Sequence, residues 1–282
     1  MTSYLNKMIS LVEELHLPFV DEQVLEIKFI IKCLDAKIPL PSAPNMLGIE
    51  PDVMDFYKEK LSAIDYQKLE LVNQLLNNFR SYISRKYGVW SLANLNTAKE
   101  IVDKYNVHSI LEIMAGNAYW SAAFSKLGVK AIATDNLEWA KGSCTGDLLF
   151  FPVKKLSAVD AIHKYRDVDI IICCWAPNFG SADMDIIEAY NTIQGKKPKL
   201  LFLGEKNGAT NTARFWKSAK FKKSCELNSI NHTISSFDFI DERFLKLNNM
   251  KNFINRNNIF SICRTCIYYI DQAITKCRYN FN

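Results

Sequence analysis

No apolar run in this chain comes near the roughly 18 residues that a membrane-crossing helix needs. The first residues also lack the basic-then-apolar pattern of a secretory leader, so the expectation is a cytoplasmic protein with no membrane partner. Histidine is scarce: His16, His108, His163 and His232 show no HxH, HExxH or Cys/His-paired spacing. Neither a nucleophile elbow nor a Walker loop is present, which removes two common hydrolase and phosphate-binding signatures. Strong charge is missing too. A net charge of +5 permits an acidic or nucleic-acid partner without demanding one, because dedicated binders carry a stronger basic face. The eight cysteines include one CxxC, Cys263-Arg-Thr-Cys266, with Cys277 the only other cysteine near it. A zinc site needs two further ligands at sensible spacing, so no metal is expected. Cys173-Cys174 falls in an apolar run, where a thiol behaves as a small hydrophobe.

What is there suits a globular chain. Its 282 residues can bury a sizeable core as one large domain, or as one domain with a helical extension. Up to about residue 106 the pattern reads as helices. Leu5, Met8, Ile9, Val12 and Leu15 recur at helical spacing until Pro18, and a second helix after Asp21 buries Val24, Ile27, Ile31 and Leu34. The stretch 38–51, with Pro39, Pro41, Pro44 and Pro51, reads as a linker or extended strap. A long helix is expected from about Tyr66 to Tyr87, stopped by Gly88. Such apolar faces pack on a core or on a partner subunit, so a homodimer through these helices is open. Thr97 and Glu100 suggest a capping box for the next helix, which buries Ile101 and Val102.

The stretch around which the chain is organised follows, from Ser109 to Asp135. Ile110 to Ile113 is short and branched enough for a buried strand, with Glu112 inside it. A tight turn of small residues comes next, Ala115-Gly116-Asn117-Ala118. A helix with Trp120, Phe124 and Leu127 on one face is closed by Gly128, and a second strand, Val129 to Thr134, ends in Asp135. Strand, glycine turn, helix, strand and terminal acid make the βαβ unit that holds nucleotide-like ligands at the carboxyl ends of its strands.

The segment Glu112-Ile-Met114-Ala-Gly116-Asn-Ala118 resembles motif I of the class I S-adenosylmethionine-dependent methyltransferases, Glu-x-Gly-x-Gly-x-Gly, with only the middle glycine kept. The resemblance implies that Glu112, Met114, Ala115, Gly116 and Asn117 line the methionine end of S-adenosyl-L-methionine, and that Asp135 and Asn136 meet the ribose. Trp90, just upstream, resembles a substrate-side lid, although a simple helix staple explains it equally. In the loop after Asp135, Leu137 or Trp139 could stack on the adenine. Asp147 and Asp160 compete for the adenine amino group; Asp160 stands where the family's third motif sits, and a plain N-cap role is its alternative.

Val168 to Cys174 reads as a central parallel strand and delivers Trp175-Ala176-Pro177-Asn178 at its end. That loop resembles the Asn/Asp-Pro-Pro-Tyr/Phe loop of amino-methylating enzymes, with Pro177 kept and Asn178 where the aromatic residue stands. The catalytic candidates are therefore Trp175, Pro177 and Asn178, with Trp175 also touching cofactor. Glu205, after the strand Leu200–Leu203, could orient the acceptor. Trp175 as core filler and Glu205 as an ordinary surface acid remain the alternatives. A weak strand near Cys225–Ile230 and a stronger one over Phe239–Leu247 complete an antiparallel hairpin, which methyltransferases of this class carry and nicotinamide-binding Rossmann domains normally lack.

The expected fold is α/β, a seven-stranded, mostly parallel Rossmann-like methyltransferase sheet. A helical extension spans 1–88, the S-adenosylmethionine-binding domain 89–250, and a segment of unknown role 251–282, with one patch at Ile262–Ile274. The function implied is methyl transfer to an unidentified acceptor (small molecule, protein or nucleic acid), a nitrogen slightly favoured. The alternatives are a catalytically silent S-adenosylmethionine-binding or interaction module and a nucleotide-binding Rossmann oxidoreductase.

Overall fold

A computed structural model describes residues 3–248. Cys263, Cys266, Cys277, the patch Ile262–Ile274 and the segment 251–282 lie outside the described residues.

The chain opens with α1 (Ser3–Leu15), α2 (Pro18–Asp35), α3 (Pro51–Lys60), α4 (Ala63–Asn77), α5 (Phe79–Tyr87) and α6 (Leu95–Tyr105). Pro18 does double duty: it ends the first apolar pattern and starts α2, where its missing N–H costs nothing. The helix expected over 66–87 is two helices meeting at Asn78, whose backbone departs from helical geometry. The break lets α5 turn toward the sheet, and Gly88 closes it in the left-handed conformation. Asn94, not Thr97, caps α6: its side chain accepts from the Thr97 N–H at 2.8 Å. Thr97 instead donates to the Thr233 carbonyl, and Glu100 accepts from Ser229, so the apparent capping box is spent on tertiary contacts.

Next come β1 (Ser109–Ile113), α7 (Tyr119–Lys126), β2 (Lys130–Asp135), β3 (Val153–Lys155), α8 (Ala158–Lys164), β4 (Ile170–Cys174), α9 (Ala182–Thr192), β5 (Lys199–Glu205), α10 (Ala213–Ser218), β6 (Phe221–Lys222), α11 (Cys225–Thr233) and β7 (Glu242–Leu247). The segment expected to be a strand at 225–230 is α11. Ser224 caps it by accepting from the Leu227 N–H, and Leu227 and Ile230, three residues apart, are buried together. Its place in the sheet is taken by the two-residue β6.

The seven strands lie in the order β3-β2-β1-β4-β5-β7-β6. β1 to β5 are mutually parallel, while β7 runs antiparallel to both β5 and β6. Alternation along the buried strands sorts their side chains onto two faces. Ile110, Ile170, Ile172, Leu201 and Leu203 join one core with α1, α2 and α4 to α7. Leu111, Ile113, Ile171, Cys173, Leu200 and Phe202 join the other, with α8, α9 and α10. The N-terminal helices are therefore not set apart from the sheet: Met8, Ile27, Leu69 and Val72 are fully buried in the first core. On their outer sides, Leu25, Phe29, Phe56 and Ile64 stay exposed. No helix among the described residues is long and apolar enough to cross a membrane.

Candidate functional site

Strand order reverses between β1, which leads to β2, and β4, which leads to β5; in an open α/β sheet a crevice forms at the carboxyl ends of two such strands. A cavity of about 1540 Å³ lies there. Its inner wall is the turn after β1. Met114, Gly116 and Ala118 all hold positive φ, at 52°, 52° and 59°. These are the three positions that the family pattern gives to glycine. Methionine and alanine thus adopt the glycine-like backbone, at a cost of roughly 1–2 kcal/mol each. A Cβ placed on Gly116 would meet no atom within 4 Å, because it would stand in the open cavity.

Two carboxylates brace this turn. Glu112, 2% exposed, accepts from the Ser121 N–H at 2.7 Å and from the Ser121 hydroxyl at 2.6 Å, tying β1 to the first turn of α7. Burial pushes its carboxyl up to about 7, against the pull of the Ser121 bonds, and nearby Asp135 adds to the rise. Asp135 accepts from the Gly116 N–H at 3.0 Å on one oxygen, and from the Leu137 N–H at 2.7 Å and Trp139 Nε1 at 3.1 Å on the other. A carboxylate has about four lone-pair sites, so one remains for a ligand, and a second opens if the Trp139 indole withdraws. Asn117, 2% exposed, donates to the carbonyls of Tyr87 and Thr145, while its Oδ1 has no partner among the described residues.

The opposite wall starts at Trp175, the residue after β4, held at φ 53°. Its indole N–H donates to Glu242 Oε1 at 3.0 Å, and its ring lies nearly parallel to Trp90, with centroids 5.6 Å apart. Pro177 and Asn178 continue this wall. Behind it sits a buried charge cluster that the sequence reading missed. Arg80, on α5, donates from Nε and Nη2 to the two oxygens of Asp238 at 2.6 and 2.9 Å, and from Nη1 to the Trp90 carbonyl. The guanidinium also packs 4.6 Å from the Trp175 ring and 4.3 Å from the Phe237 ring. Burial pushes Asp238 up, but the Arg80 bonds and charge outweigh it and hold the carboxyl below its usual range. Glu242 is pushed up by burial; its contact with Arg80 is longer, 3.5 Å, and does not compensate. The only signal in the sequence for this cluster was an arginine on the apolar side of a helix.

Of the expected residues, Glu112, Met114, Ala115, Gly116 and Asn117 line the cavity, as do Asp135 and Asn136. Trp175, Pro177, Asn178 and Trp139 line it as well. Three do not. Asp160 is exposed in the first turn of α8, where Ser157 is the N-cap; Ser157, Ala158 and Val159 face the cavity in its place. Asp147 is exposed away from the lining. The Glu205 carboxylate turns into its own loop and accepts from the Ala209 N–H at 2.7 Å, so the structure does not bring it to the proposed acceptor. That loop returns past the end of β5, and Gly208 leaves room for the carboxylate beside it.

No protein-family model matches the chain, and no curated protein matches it in sequence. Among solved structures it is similar to the mitomycin 7-O-methyltransferase MmcR, with 11% identity over 64% of this chain and 58% of that one, at a TM-score of 0.34. It is also similar to TrmN from Thermus thermophilus (11%, 62% and 53%, TM-score 0.36) and to a SAM-dependent methyltransferase from Archaeoglobus fulgidus (10%, 60% and 99%, TM-score 0.35). The chain thus spans little more than half of the first two. Likenesses this distant decide nothing about chemistry. Strand order speaks to the fold alone. The sheet, with its antiparallel β7 beside β5, is of the class I methyltransferase type.

Proposed function

We propose that this chain is an S-adenosylmethionine-dependent methyltransferase acting on an amine. The observation that carries the reading is the turn after β1. It keeps glycine-like dihedrals at residues 114, 116 and 118, and it presents the bare Cα of Gly116 to a cavity at the switch point of the sheet. The donor set suits a cationic cofactor. Glu112 and Asp135 supply carboxylates, and Asn117 Oδ1 is a buried acceptor awaiting a donor. Glu112 and Gly116 would hold the methionine end and Asp135 the ribose. When bound, this cofactor would supply an electrophilic methyl group on a positively charged sulfur, with a neutral thioether as its leaving group.

The chain's own part is positioning and exclusion of water. Trp175, Pro177 and Asn178 form the wall where an acceptor would rest. Asp238 and Glu242 are both engaged by Arg80 and Glu205 is turned away, which leaves exposed Asp185 as the carboxylate on this side of the cavity. A neutral amine suits such a site, since its proton leaves to water after the methyl has moved. The antiparallel β7 disfavours the nicotinamide oxidoreductase, and the cavity gives a purely interacting module no advantage.

Calorimetry with S-adenosylmethionine, S-adenosylhomocysteine, NAD and NADP tests this reading. The first two should bind and the nicotinamides should not. Asp135→Asn should weaken binding at least tenfold, as the loss of a charge-assisted hydrogen bond would. Gly116→Ala should also weaken it at least tenfold while leaving the protein folded: the new methyl clashes with no protein atom, and the alanine at φ 52° costs roughly 1–2 kcal/mol of stability. Tighter binding of NAD than of S-adenosylhomocysteine would sink the assignment.

A further inference from the structure

The cavity is larger than one ligand needs. Single small-molecule sites run to roughly 300–1,000 Å³, whereas this one measures about 1540 Å³. Its inner half is the turn after β1 just described. Its mouth is framed by Trp90, Phe179 and Phe239, from the α5–α6 connection, the β4–α9 loop and the segment before β7. Each ring is more than half exposed, at 52%, 74% and 72%. Three large rings held in water at one opening are costly unless they meet a ligand. Trp90 is already stacked on Trp175, so a pre-ordered aromatic surface leads inward from the mouth.

Charge narrows the occupant. Five carboxylates line the cavity against two guanidiniums, those of Arg80 and Arg85; Asp238 is paired with Arg80 and Glu138 with Lys141, which leaves Glu112, Asp135 and Asp185 as the surplus. Arg80 has Nε, Nη1 and Nη2 all bonded to protein acceptors, so it offers nothing to an anion. A phosphate would find one exposed arginine and a surplus of acid.

We propose that Trp90, Phe179 and Phe239 form the mouth of the acceptor subsite and that it takes a flat aromatic amine, its accepting nitrogen unprotonated, without phosphate. This rests on the methyltransferase reading above. Stacking recognises the plane of the ring, the acidic lining favours a positive charge, and the same lining excludes nucleotides and nucleic-acid backbone.

The test uses the full chain saturated with S-adenosylhomocysteine and titrated calorimetrically with aminoquinoline, cyclohexylamine or adenosine 5′-monophosphate. Aminoquinoline should bind at least tenfold more tightly than either of the others. Trp90→Ala and Phe239→Ala should each weaken it threefold to tenfold, with S-adenosylhomocysteine affinity held within twofold. Phe239 is the cleaner position, being largely exposed, and melting curves confirm that both variants fold. Equal or tighter binding of the monophosphate, or undiminished aminoquinoline binding in both variants, overturns the proposal. Failure of aminoquinoline on protein that does bind S-adenosylhomocysteine overturns the acceptor class alone. Failure of S-adenosylhomocysteine to bind overturns the methyltransferase reading and this one with it.

Discussion

Glu112 concentrates several roles in one buried side chain: it anchors the first turn of α7 through Ser121, faces the cavity, and titrates near neutrality. Its folded-state value, about 7, lies above the ordinary 4.5, so folding takes up a proton. The resulting stability is fully present below about pH 4.5 and is lost as pH rises through about 7. At 1.36 kcal/mol per pKa unit the swing is roughly 3 kcal/mol. Glu112→Gln keeps an oxygen for Ser121 and removes the titration. Thermal melts between pH 5 and 8 should therefore be flatter for the variant, and at pH 8 the variant should be the more stable protein. Parallel profiles for the two proteins would show that Glu112 does not titrate as described. Asp135 works differently. Its three protein donors make it a brace of the turn as much as a ligand group, so removing its carboxylate outright would loosen the turn as well as the binding.

At the scale of elements, Arg80 joins α5 to the segment before β7. Its pairing with Asp238 spans 158 positions in sequence and is almost wholly withdrawn from water. Breaking a buried pair from one side leaves a charge without compensation and costs about 3–5 kcal/mol. Arg80→Met should lower urea-unfolding stability by that amount. Adding Asp238→Asn should restore about 1 kcal/mol or more, because the orphaned carboxylate is gone. A double variant no more stable than the single one would place the loss elsewhere, in the packing of the guanidinium between Trp175 and Phe237. Through those rings the same cluster sets the slant of the cavity wall, so the stability of α5 and the shape of the site are one matter.

For the molecule as a whole, the N-terminal helices share one continuous apolar core with the helices that cover this face of the sheet. Ile110, Ile172 and Leu203 are covered on the side shared with Met8, Ile27, Leu69 and Val72. The strands themselves are covered by α7 and α11, so removing residues 1–88 would expose the outer side of that helix layer. The shortened chain should melt without cooperativity and bind a hydrophobic dye such as ANS, whereas the full chain should unfold in one main transition. A cooperative melt of the shortened chain near the parent temperature would mean that the helices are an appendage.

Local pattern alone was enough for the strands β1, β2, β4 and β5, the glycine turn, Asp135 at the end of β2, and the α/β class. Each is written in consecutive residues: apolar runs of strand length, a small-residue turn, a helix closed by glycine. The antiparallel end of the sheet was also legible, but its partner strand was misplaced, because 225–233 carries no strong period and packing of Leu227 and Ile230 made it helical. Tertiary structure alone decided the rest. Met114 and Ala118 hold positive φ because the turn between β1 and α7 is closed from both sides, and nothing in those residue types announces it. The Glu205 side chain could have pointed either way until the 206–210 loop offered it an N–H. Arg80, Asp238 and Glu242 meet only because the segment 236–242 folds back onto α5, and a pairing over some 160 residues leaves no trace in local periodicity.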